Sequence, residues 1–370
     1  MFNIKCIARR IAVIVLVISV FALAGCSNGQ KSTAAGNTNQ KATYEKRSIT
    51  DTAGNTVELK KEVRTIAIVP IPWTSVVYAV DGTEKRIVGM HPSAKQSYEK
   101  SILKKMAPAL ANVATSFVDN DFVINMEEAK KLNPDVMIVW DYQTKEIEQL
   151  KGLGIPAIAL KYGTLDDLRK GIELIGNLLG KQEKASKLVN YHEETENYFK
   201  TKAEELKNFK KLKVLYIRDE QLKVAGKGAV NTAFIEMAGG VNVAKDTPGQ
   251  WVNVTMEQVV AWNPEIIIMS NFSNFKPDDI LGNKIKGQDW SKIDAVKNKR
   301  VYKAPMGTYR WDAPCAESPL MIKWMAKTIQ PEFFKDIDIQ KDIKNFYKEY
   351  LNYDLTQEEI DSILQKDINK

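Results

Sequence analysis

The chain has 370 residues, a formal net charge of +7 and three cysteines. The positive balance is mild, and no basic stripe is interleaved with aromatic residues, which excludes a typical nucleic-acid-binding surface. A chain of this length can bury a large hydrophobic core, most simply as two domains. Three cysteines are too few for a disulfide-stapled framework.

Residues 1–25 are predicted to be a secretory signal. Three basic residues, Lys5, Arg9 and Arg10, precede an apolar run over residues 11–24. That run is short for a membrane span, which needs about 20 apolar residues. Its length and its basic flank are typical of a signal peptide. Its removal takes away three positive charges and leaves a net charge of +4.

The apolar run ends in Leu23-Ala24-Gly25-Cys26, which resembles the lipobox of bacterial lipoproteins. The resemblance implies cleavage before Cys26, lipidation of that cysteine and anchoring on the extracytoplasmic face of the cell membrane. A plain signal peptide, or an anchor helix with a chance cysteine, is the alternative. Residues 26–46 are polar and rich in Ser, Asn, Gly and Lys, which predicts a flexible tether.

One sequence unit occurs twice, over residues 126–138 and again over residues 256–268. Each copy follows a helix-capping residue, Asn125 or Thr255, and has Glu or Gln three positions after it, which predicts a capping box. Asn-Pro ends each predicted helix because the residue before proline avoids the helical region. An apolar strand follows. Two such units indicate two similar α/β lobes.

The first lobe is predicted over residues 47–163. A Gly-Asn turn within residues 52–55 predicts an opening β-hairpin. Short apolar strands then alternate with helices, which favours a parallel sheet covered by helices. The predicted strands are 65–69, 86–90, 136–140 and 157–160, and the predicted helices are 74–80, 125–133 and 145–150.

Residues 164–210 are predicted to be bridging helices. Thr164 caps the first, Gly180 ends it, and a second continues without Gly or Pro to about residue 207. The second helix is too charged to cross a membrane and its apolar repeat is too short for a coiled coil. His192 on this helix is predicted to be a surface or packing residue.

The second lobe is predicted over residues 211–370. The second copy of the repeated unit lies in this lobe, and Asn231 is predicted to cap a helix that ends near residue 238. Two amphipathic helices are predicted at the C-terminus. The predicted strands are 212–217, 222–225, 266–269 and 300–303.

The sequence lacks the motifs of common enzymes. It contains no G-x-S-x-G elbow, no Walker loop, no H-E-x-x-H and no cysteine-pair metal site. His91 and His192 are the only histidines, so no bare-metal site and no cofactor are predicted. Cys315 is predicted to be a small core residue without a neighbouring base. We therefore expect no enzymatic activity.

The predicted strand ends carry aromatic and cationic residues in both lobes. Ligands of parallel α/β sheets bind at the carboxyl ends of the strands. Large aromatic faces with a fixed positive charge suit a bulky, partly apolar, anionic ligand, and arginine pairs well with anionic oxygens. The candidate ligand-binding residues are Trp73, His91, Trp140, Tyr142, Trp251, Phe272, Phe275, Tyr309, Arg310 and Trp311.

These features together resemble the substrate-binding lipoproteins of bacterial ABC importers, in the group that carries iron–siderophore complexes, haem and cobalamin. The lipobox, the repeated unit and the stretch over residues 310–320 carry the resemblance. It implies two Rossmann-like α/β lobes joined by one long α-helix, the class III periplasmic binding protein fold. It also implies a monomer that works with an ABC permease and its ATPase.

The resemblance leaves the ligand open. A ferric siderophore or haem comes first, and cobalamin or a nickel or cobalt chelate is the alternative. If haem is bound, Tyr309, Tyr142 and His91 are candidates for its axial ligand. A surface-anchored enzyme that processes metal chelates is the alternative from a different functional class.

The resemblance also implies a role for the repeated unit. In such proteins one exposed glutamate of each lobe docks onto the permease, and Glu127 and Glu257 match those positions. The alternative is that both only stabilise the first turn of a helix through its dipole.

Overall fold

The computed structural model describes residues 46–369. The predicted signal, Cys26 and nearly all of the predicted tether lie outside this range, so those assignments stay predictions. Within residues 46–369, no helix combines the length and the hydropathy that a membrane span requires.

The N-terminal part of the described chain begins with the predicted hairpin. Asp51 stabilises it, because one carboxylate oxygen accepts hydrogen bonds from the backbone of Ala53 and Asn55 and the other accepts one from Ala159 on a later strand. The elements are β1 (Arg47–Thr50), β2 (Thr56–Leu59), β3 (Ile66–Ile68), α1 (Trp73–Asp81), β4 (Ile87–Met90), α2 (Pro92–Lys100), α3 (Leu103–Met106), a 3-10 turn (Pro108–Asn112), α4 (Met126–Leu132), β5 (Val136–Trp140), α5 (Thr144–Gly152) and β6 (Ala157–Leu160).

The first sheet is parallel throughout, in the order β4-β3-β5-β6. All five residues of β5 are buried, as expected of a strand covered on both faces. The carboxyl ends of these strands therefore open at one edge of the sheet. The strands predicted for this lobe are confirmed. Helices α2 and α3 are not among the predicted elements, because their sequences lack a helical spacing of apolar residues.

Two helices connect the sheets, α6 (Leu165–Leu179) and α7 (Gln182–Leu206). A capping box between Thr164 and Asp167 starts α6, and Gly180, in the left-handed region, ends it. The α7 helix has 25 residues and spans about 38 Å. His192 is buried on α7, and its Nε2 lies 3.1 Å from the carbonyl oxygen of Ala316. It is a packing residue that joins α7 to the C-terminal part.

The C-terminal part contains the second sheet, in the order β10-β8-β7-β11-β12, with β9 also paired to β7. The elements are β7 (Leu212–Ile217), β8 (Lys223–Ala225), α8 (Val230–Met237), β9 (Gly240–Asn242), β10 (Trp251–Asn253), α9 (Met256–Trp262), β11 (Ile266–Met269), α10 (Pro277–Leu281), α11 (Asp294–Lys297), β12 (Val301–Lys303), α12 (Ser318–Ile329), α13 (Ile339–Leu351) and α14 (Gln357–Ile363).

The second sheet is mixed, unlike the first. Strands β7, β9, β11 and β12 pair in parallel, whereas β8 runs in the opposite direction and pairs antiparallel with β7 on one side and with β10 on the other. The connection between β7 and β8 is a tight turn with Leu222 in the left-handed region. A turn that short can only reverse the chain, because a parallel neighbour needs a crossover of a dozen or more residues.

Both sheets pack helices through apolar side chains. One continuous cluster of buried residues runs from the first sheet through α6 and α7 to the second sheet and the C-terminal helices. Two smaller clusters cover the remaining faces of the sheets. Polar contacts also link the two parts: Lys100 donates to the Asn274 side chain at 2.8 Å, and Lys105 pairs with Glu359.

The two copies of the repeated unit fold alike, but their caps differ. Thr255 and Gln258 form the complete predicted capping box. Asn125 accepts from the first-turn backbone, but Glu128 does not reciprocate, because its carboxylate binds Ser116 and Lys131 instead. The predicted box is therefore only half formed in the first copy.

The acidic residue after each Asn-Pro holds the start of a neighbouring strand. Asp135 accepts hydrogen bonds from the backbone N–H groups of Arg64 and Thr65, just before β3. Glu265 accepts one from the backbone of Lys213 in β7. The repeat thus carries the same strand-anchoring contact in both parts of the chain.

Asn231 is not the cap of α8, which corrects its prediction. The cap position is Ala229, and the Asn231 side chain is buried, where its amide nitrogen donates to the carbonyl oxygen of Asp312 at 3.0 Å. Asparagine before an apolar helix resembles a cap in sequence, but here tertiary contacts use its amide.

Gly171 on α6 is required for close packing against α1. A Cβ at this position would lie 2.0 Å from the fully buried Trp73 ring. We expect Gly171→Ala to lower the free energy of unfolding by about 1–3 kcal/mol, because an overpacked core must shift. Urea denaturation measures the change. Gly152→Ala, in a helix with open space around it, is the matched control and should be neutral or stabilising; an equal loss in both variants would contradict the packing explanation.

Candidate ligand-binding cleft

The first wall of the cleft is a row of aromatic side chains at the carboxyl ends of β4, β5 and β6. The His91 ring lies 4.6 Å from Phe122, and Trp140 lies 5.0 Å from Tyr162 and 6.4 Å from Tyr142, measured between ring centres. Tyr142 is 65% exposed, so its ring is available to a ligand. These five residues form what we call the first wall.

His91 at the base of this wall is buried and neutral. Its Nδ1 accepts a hydrogen bond from the Ser93 backbone at 3.0 Å, which caps α2 and keeps that nitrogen unprotonated. Burial lowers the pKa of His91 to about 4. The ring has no exposed surface in this structure, so its contribution to the cleft is to support Phe122.

The second wall combines aromatic rings with two arginines. The guanidinium carbons of Arg218 and Arg310 lie 4.8 Å and 4.6 Å from the ring centre of Phe272. Arg218 also lies 5.4 Å from Trp251, and Arg310 lies 5.5 Å from Tyr309. Both arrangements are cation–π contacts. These five residues form the second wall.

Neither arginine of the second wall has an acidic partner. Within residues 46–369, no carboxylate lies within salt-bridge distance of Arg218 or Arg310. The Nε of Arg310 is buried and has no hydrogen-bond partner there either. Two like charges held on one aromatic ring favour an anion beside them.

Strand ends and a clamped loop position the second wall. Arg218 follows β7 directly, and Phe272 lies three residues after β11. Arg310 lies on the loop before α12. The buried carboxylate of Glu317 holds this loop in place through hydrogen bonds. Glu317 accepts hydrogen bonds from the Thr308 backbone at 2.8 Å and from the Tyr347 hydroxyl at 2.6 Å.

The loop approaches Glu317 so closely that position 307 must be glycine. A Cβ on Gly307 would lie 1.9 Å from the Glu317 Oε1 atom and 2.5 Å from the Tyr347 hydroxyl. Burial raises the pKa of Glu317, whereas its hydrogen-bond donors lower it.

A cavity of about 110 Å³ lies between elements of the two parts of the chain. The start of α8 and the loop after Arg310 contribute to its lining. Its lining residues are Tyr162, Gly163, Ala229, Val230, Asn231, Gln250, Trp251, Phe272, Asp312, Ala313 and Pro314.

A larger surface groove, of about 740 Å³, lies at the amino ends of β7 and β12, beside Leu212, Arg300 and Trp324. We assign the candidate site to the smaller cavity, because parallel sheets bind ligands at the carboxyl ends of their strands.

The structure places seven of the ten predicted ligand-binding residues on the two walls, although His91, Trp140 and Tyr309 are almost fully buried there, and leaves three away from the walls. Trp73 and Trp311 are fully buried and present no surface to a ligand, and Phe275 packs against the core of the second sheet beside Lys303. The seven are His91, Trp140, Tyr142, Trp251, Phe272, Tyr309 and Arg310.

Sequence reasoning missed several cleft residues. Arg218 follows a predicted strand immediately, so the strand-end rule applied to the first residue after residue 217 would have found it. The pattern around Asn231 predicts a helix cap rather than a cleft residue, and no local signal distinguishes Asp312 from the rest of its loop. Phe122 had no signal, because it precedes the repeated helix in a segment without periodicity.

The described residues offer little for catalysis or for a bare metal. Residues 46–369 contain no cluster of three or more His, Cys, Asp or Glu side chains that could hold a metal ion. Cys315 is buried, and burial together with the Glu317 charge raises the pKa of its thiol well above its usual value. The thiol therefore stays protonated at neutral pH.

Glu127 and Glu257 are both exposed in the first turn of their helices, α4 and α9. Hydrogen bonds from its own backbone and from Thr255 lower the pKa of Glu257. The Glu257 carboxylate is therefore charged at the surface at neutral pH.

Comparison with known proteins identifies the family. The model of the family described as periplasmic binding protein matches residues 72–306, which is well over half of the chain. The chain belongs to the periplasmic binding protein family. This agrees with the two sheets, the connecting helices and the cleft described above, and confirms the fold class and the family resemblance.

Three similar proteins place this periplasmic binding protein among ABC-importer components. It is 54% identical to a periplasmic solute binding protein from Veillonella parvula, with a TM-score of 0.84 over 88% of this chain and 98% of that one. It is 26% identical to the molybdate-binding protein MolA of Haemophilus influenzae, over 82% and 90% of the two chains. It is also 26% identical to YvrC of Bacillus subtilis, named an ABC transporter substrate-binding lipoprotein, over 87% and 97%.

The coarse function follows from the family. The protein is a substrate-binding component of an ABC importer, and it acts outside the cytoplasm with a permease and an ATPase as partners. Its relatives are solute-binding proteins, which agrees with the expectation that the chain is not an enzyme.

His91 should make this binding protein sensitive to acid. Its pKa of about 4 is below the ordinary 6.5, so the unfolded chain binds more protons between these values and stability falls as pH drops through that window. His91→Asn keeps a helix-capping acceptor but does not titrate. We expect the wild-type protein to lose about 1–3 kcal/mol relative to the variant between pH 6.5 and 4. Chemical denaturation at several pH values measures this, and parallel curves for the two proteins would contradict it.

Proposed function

We propose that the protein captures a compact metal complex with anionic oxygens and delivers it to its permease. The observation that carries this proposal is the pair of guanidinium groups, Arg218 and Arg310, on the ring of Phe272 without a carboxylate partner among residues 46–369. Arginine binds anionic oxygens in a fork geometry, and the aromatic rings around it suit the apolar part of a chelate.

The small volume of the cavity favours the more compact of the candidate ligands. The sequence analysis puts a ferric siderophore or haem first and cobalamin or a nickel or cobalt chelate second. Sites for drug-sized ligands usually enclose about 300–1,000 Å³, whereas this cavity measures about 110 Å³. A siderophore, haem or cobalamin therefore requires the lobes to open further, and a small iron, nickel or cobalt chelate requires less movement.

A small oxyanion is the second candidate. The same two arginines would pair with it, and the relative MolA is named for binding molybdate. An enzyme that processes chelates on this scaffold is the remaining alternative, and turnover of a bound chelate by the purified protein would favour it.

Lipid attachment at Cys26 and a monomeric state complete the proposal. The sequence before residue 27 has the lipobox pattern, and the relative YvrC is named a lipoprotein. Metabolic labelling with a fatty acid, lost in Cys26→Ala, tests the anchor.

Arg310 should dominate the affinity for the solute. The experiment is a tryptophan-fluorescence titration with ferric siderophores, haem, cobalamin, nickel–histidine and molybdate. For whichever of these the wild-type protein binds, we expect Arg310→Ala to weaken binding at least about thirtyfold, since truncating one partner of a buried charge pair costs about 2 kcal/mol or more. Arg300→Ala, remote from the cleft at the amino end of β12, is the control. No response of the wild-type protein to any probe would overturn the proposal.

Glu127 and Glu257 are proposed to dock onto the permease. Both carboxylates are exposed at equivalent positions of the repeated unit, one in each part of the chain. We expect the double variant Glu127→Lys and Glu257→Lys to abolish uptake in whole cells, because like charges would then meet across the interface. Solute affinity should be unchanged. The double variant Glu148→Lys and Glu236→Lys, at two exposed carboxylates outside α4 and α9, changes the net charge equally and is the matched control; normal uptake by the docking variant would contradict the assignment.

A further inference from the structure

Two buried acceptor atoms lie beside the cationic wall of the cleft. Asp312 and Asn231 both line the cavity, and each is only 1% exposed. Within residues 46–369, neither the Oδ1 atom of Asp312 nor the Oδ1 atom of Asn231 has a partner at normal hydrogen-bond geometry, and the Tyr216 hydroxyl, which also has none, interacts with the Asp312 side chain. The cavity is therefore lined by acceptor side chains together with Trp251 and Phe272, the rings against which the arginines of the second wall lie.

Internal hydrogen bonds fix the direction of both acceptors. The other carboxylate oxygen of Asp312 accepts from the Ser270 hydroxyl and from the Asn271 backbone N–H, at 3.1 Å for the latter. The amide nitrogen of Asn231 donates to the carbonyl oxygen of Asp312 at 3.0 Å. That bond decides which end of the amide is nitrogen, so its oxygen is the free end.

No cation neutralises this carboxylate directly. Among residues 46–369, no Lys, Arg or His nitrogen lies within salt-bridge distance of Asp312. The buried phenol of Tyr216 lies nearby, and burial, the Asp312 charge and the interaction of its hydroxyl with the Asp312 side chain raise its pKa well above its usual value. A test must therefore distinguish a solute that donates a hydrogen bond to Asp312 from the neighbouring Tyr216 hydroxyl.

Acceptors of this kind discriminate between solutes. A buried carboxylate or amide oxygen without a donor is costly, so a solute that brings an N–H or O–H group to it is favoured. A solute whose surface carries only acceptor oxygens meets the Asp312 charge and is disfavoured there, even though the arginines attract it.

We propose that Asp312 and Asn231 are specificity-determining residues that select a solute with both anionic oxygens and N–H or O–H donors, such as an amino-acid chelate of a metal, over a bare oxyanion. This inference rests on the proposed function, because it assumes that the arginines of the second wall hold the anionic oxygens. It adds that the opposite side of the solute donates hydrogen bonds.

The test compares three probes by tryptophan-fluorescence titration. Nickel–histidine presents carboxylate oxygens and N–H donors, whereas molybdate and tris(oxalato)iron(III) present only acceptors. We expect the wild-type protein to prefer nickel–histidine. Asp312→Asn should weaken nickel–histidine binding at least tenfold and leave unchanged or strengthen the binding of both acceptor-only probes, because it removes a negative charge. Nickel chloride and histidine alone are the ligand controls.

Two matched variants separate this role from a structural one. Ser270→Ala removes an internal donor to Asp312 but keeps the carboxylate, and Tyr216→Phe removes the neighbouring hydroxyl. Each should change the affinity for all probes less than threefold. An equal loss for all three probes in Asp312→Asn, or the same selective loss in Tyr216→Phe, would overturn the inference.

The outcomes also distinguish this inference from the proposed function. One outcome is that the wild-type protein binds only molybdate or the oxalate complex and that Arg310→Ala abolishes this binding. In that case the proposed arginine site is supported, and the inference that the solute carries hydrogen-bond donors is wrong. If the wild-type protein binds none of the three probes but binds a ferric siderophore, haem or cobalamin, this inference fails and the proposed function stands.

Discussion

The buried carboxylate of Glu317 holds together the end of the chain that completes the cleft. It accepts hydrogen bonds from the backbone and side chain of Thr308, from the Tyr309 backbone and from the Tyr347 hydroxyl. A charge in the core is costly unless several donors satisfy it, and here they come from both the loop and α13. The loop, α12 and α13 are therefore ordered together. Arg310 and Asp312 take their positions from this arrangement.

The direction of the strands accounts for the rest of the site. The parallel strands of the first sheet end at one edge, where Trp140 and Tyr162 lie. In the second sheet, Arg218 and Phe272 lie just after the carboxyl ends of β7 and β11. An apolar cluster that continues through α6 and α7 keeps the two sheets in one body. The result is an aromatic wall opposite a wall that also carries charge. Such a pair of surfaces suits a solute with an apolar part and anionic oxygens.

The repeated unit combines a structural contact with an exposed carboxylate. Asp135 and Glu265 each anchor a neighbouring strand through backbone N–H groups, so the repeat helps to start both sheets. The first-turn glutamates on the same helices take no part in that contact. A single short sequence can thus serve the fold with one side chain and leave another free for a partner.

Elements with strong local signals can be predicted from the amino-acid sequence alone. The repeated helix–strand unit, the bridging helices with their break at Gly180 and the buried strands of the first sheet depend on period, capping and proline, which act over a few residues. The family resemblance rests on the same local patterns.

Which aromatic and polar residues reach the cleft depends on tertiary packing. Trp73 and Trp140 both stand at the end of a predicted strand or just after one, yet Trp73 fills a space left by Gly171 in the core, whereas Trp140 joins the first wall. Asn231 looks like a helix cap, yet its amide binds Asp312, 81 positions away along the chain. The physical reason is that burial and side-chain partners come from distant segments, and a local pattern contains no information about them.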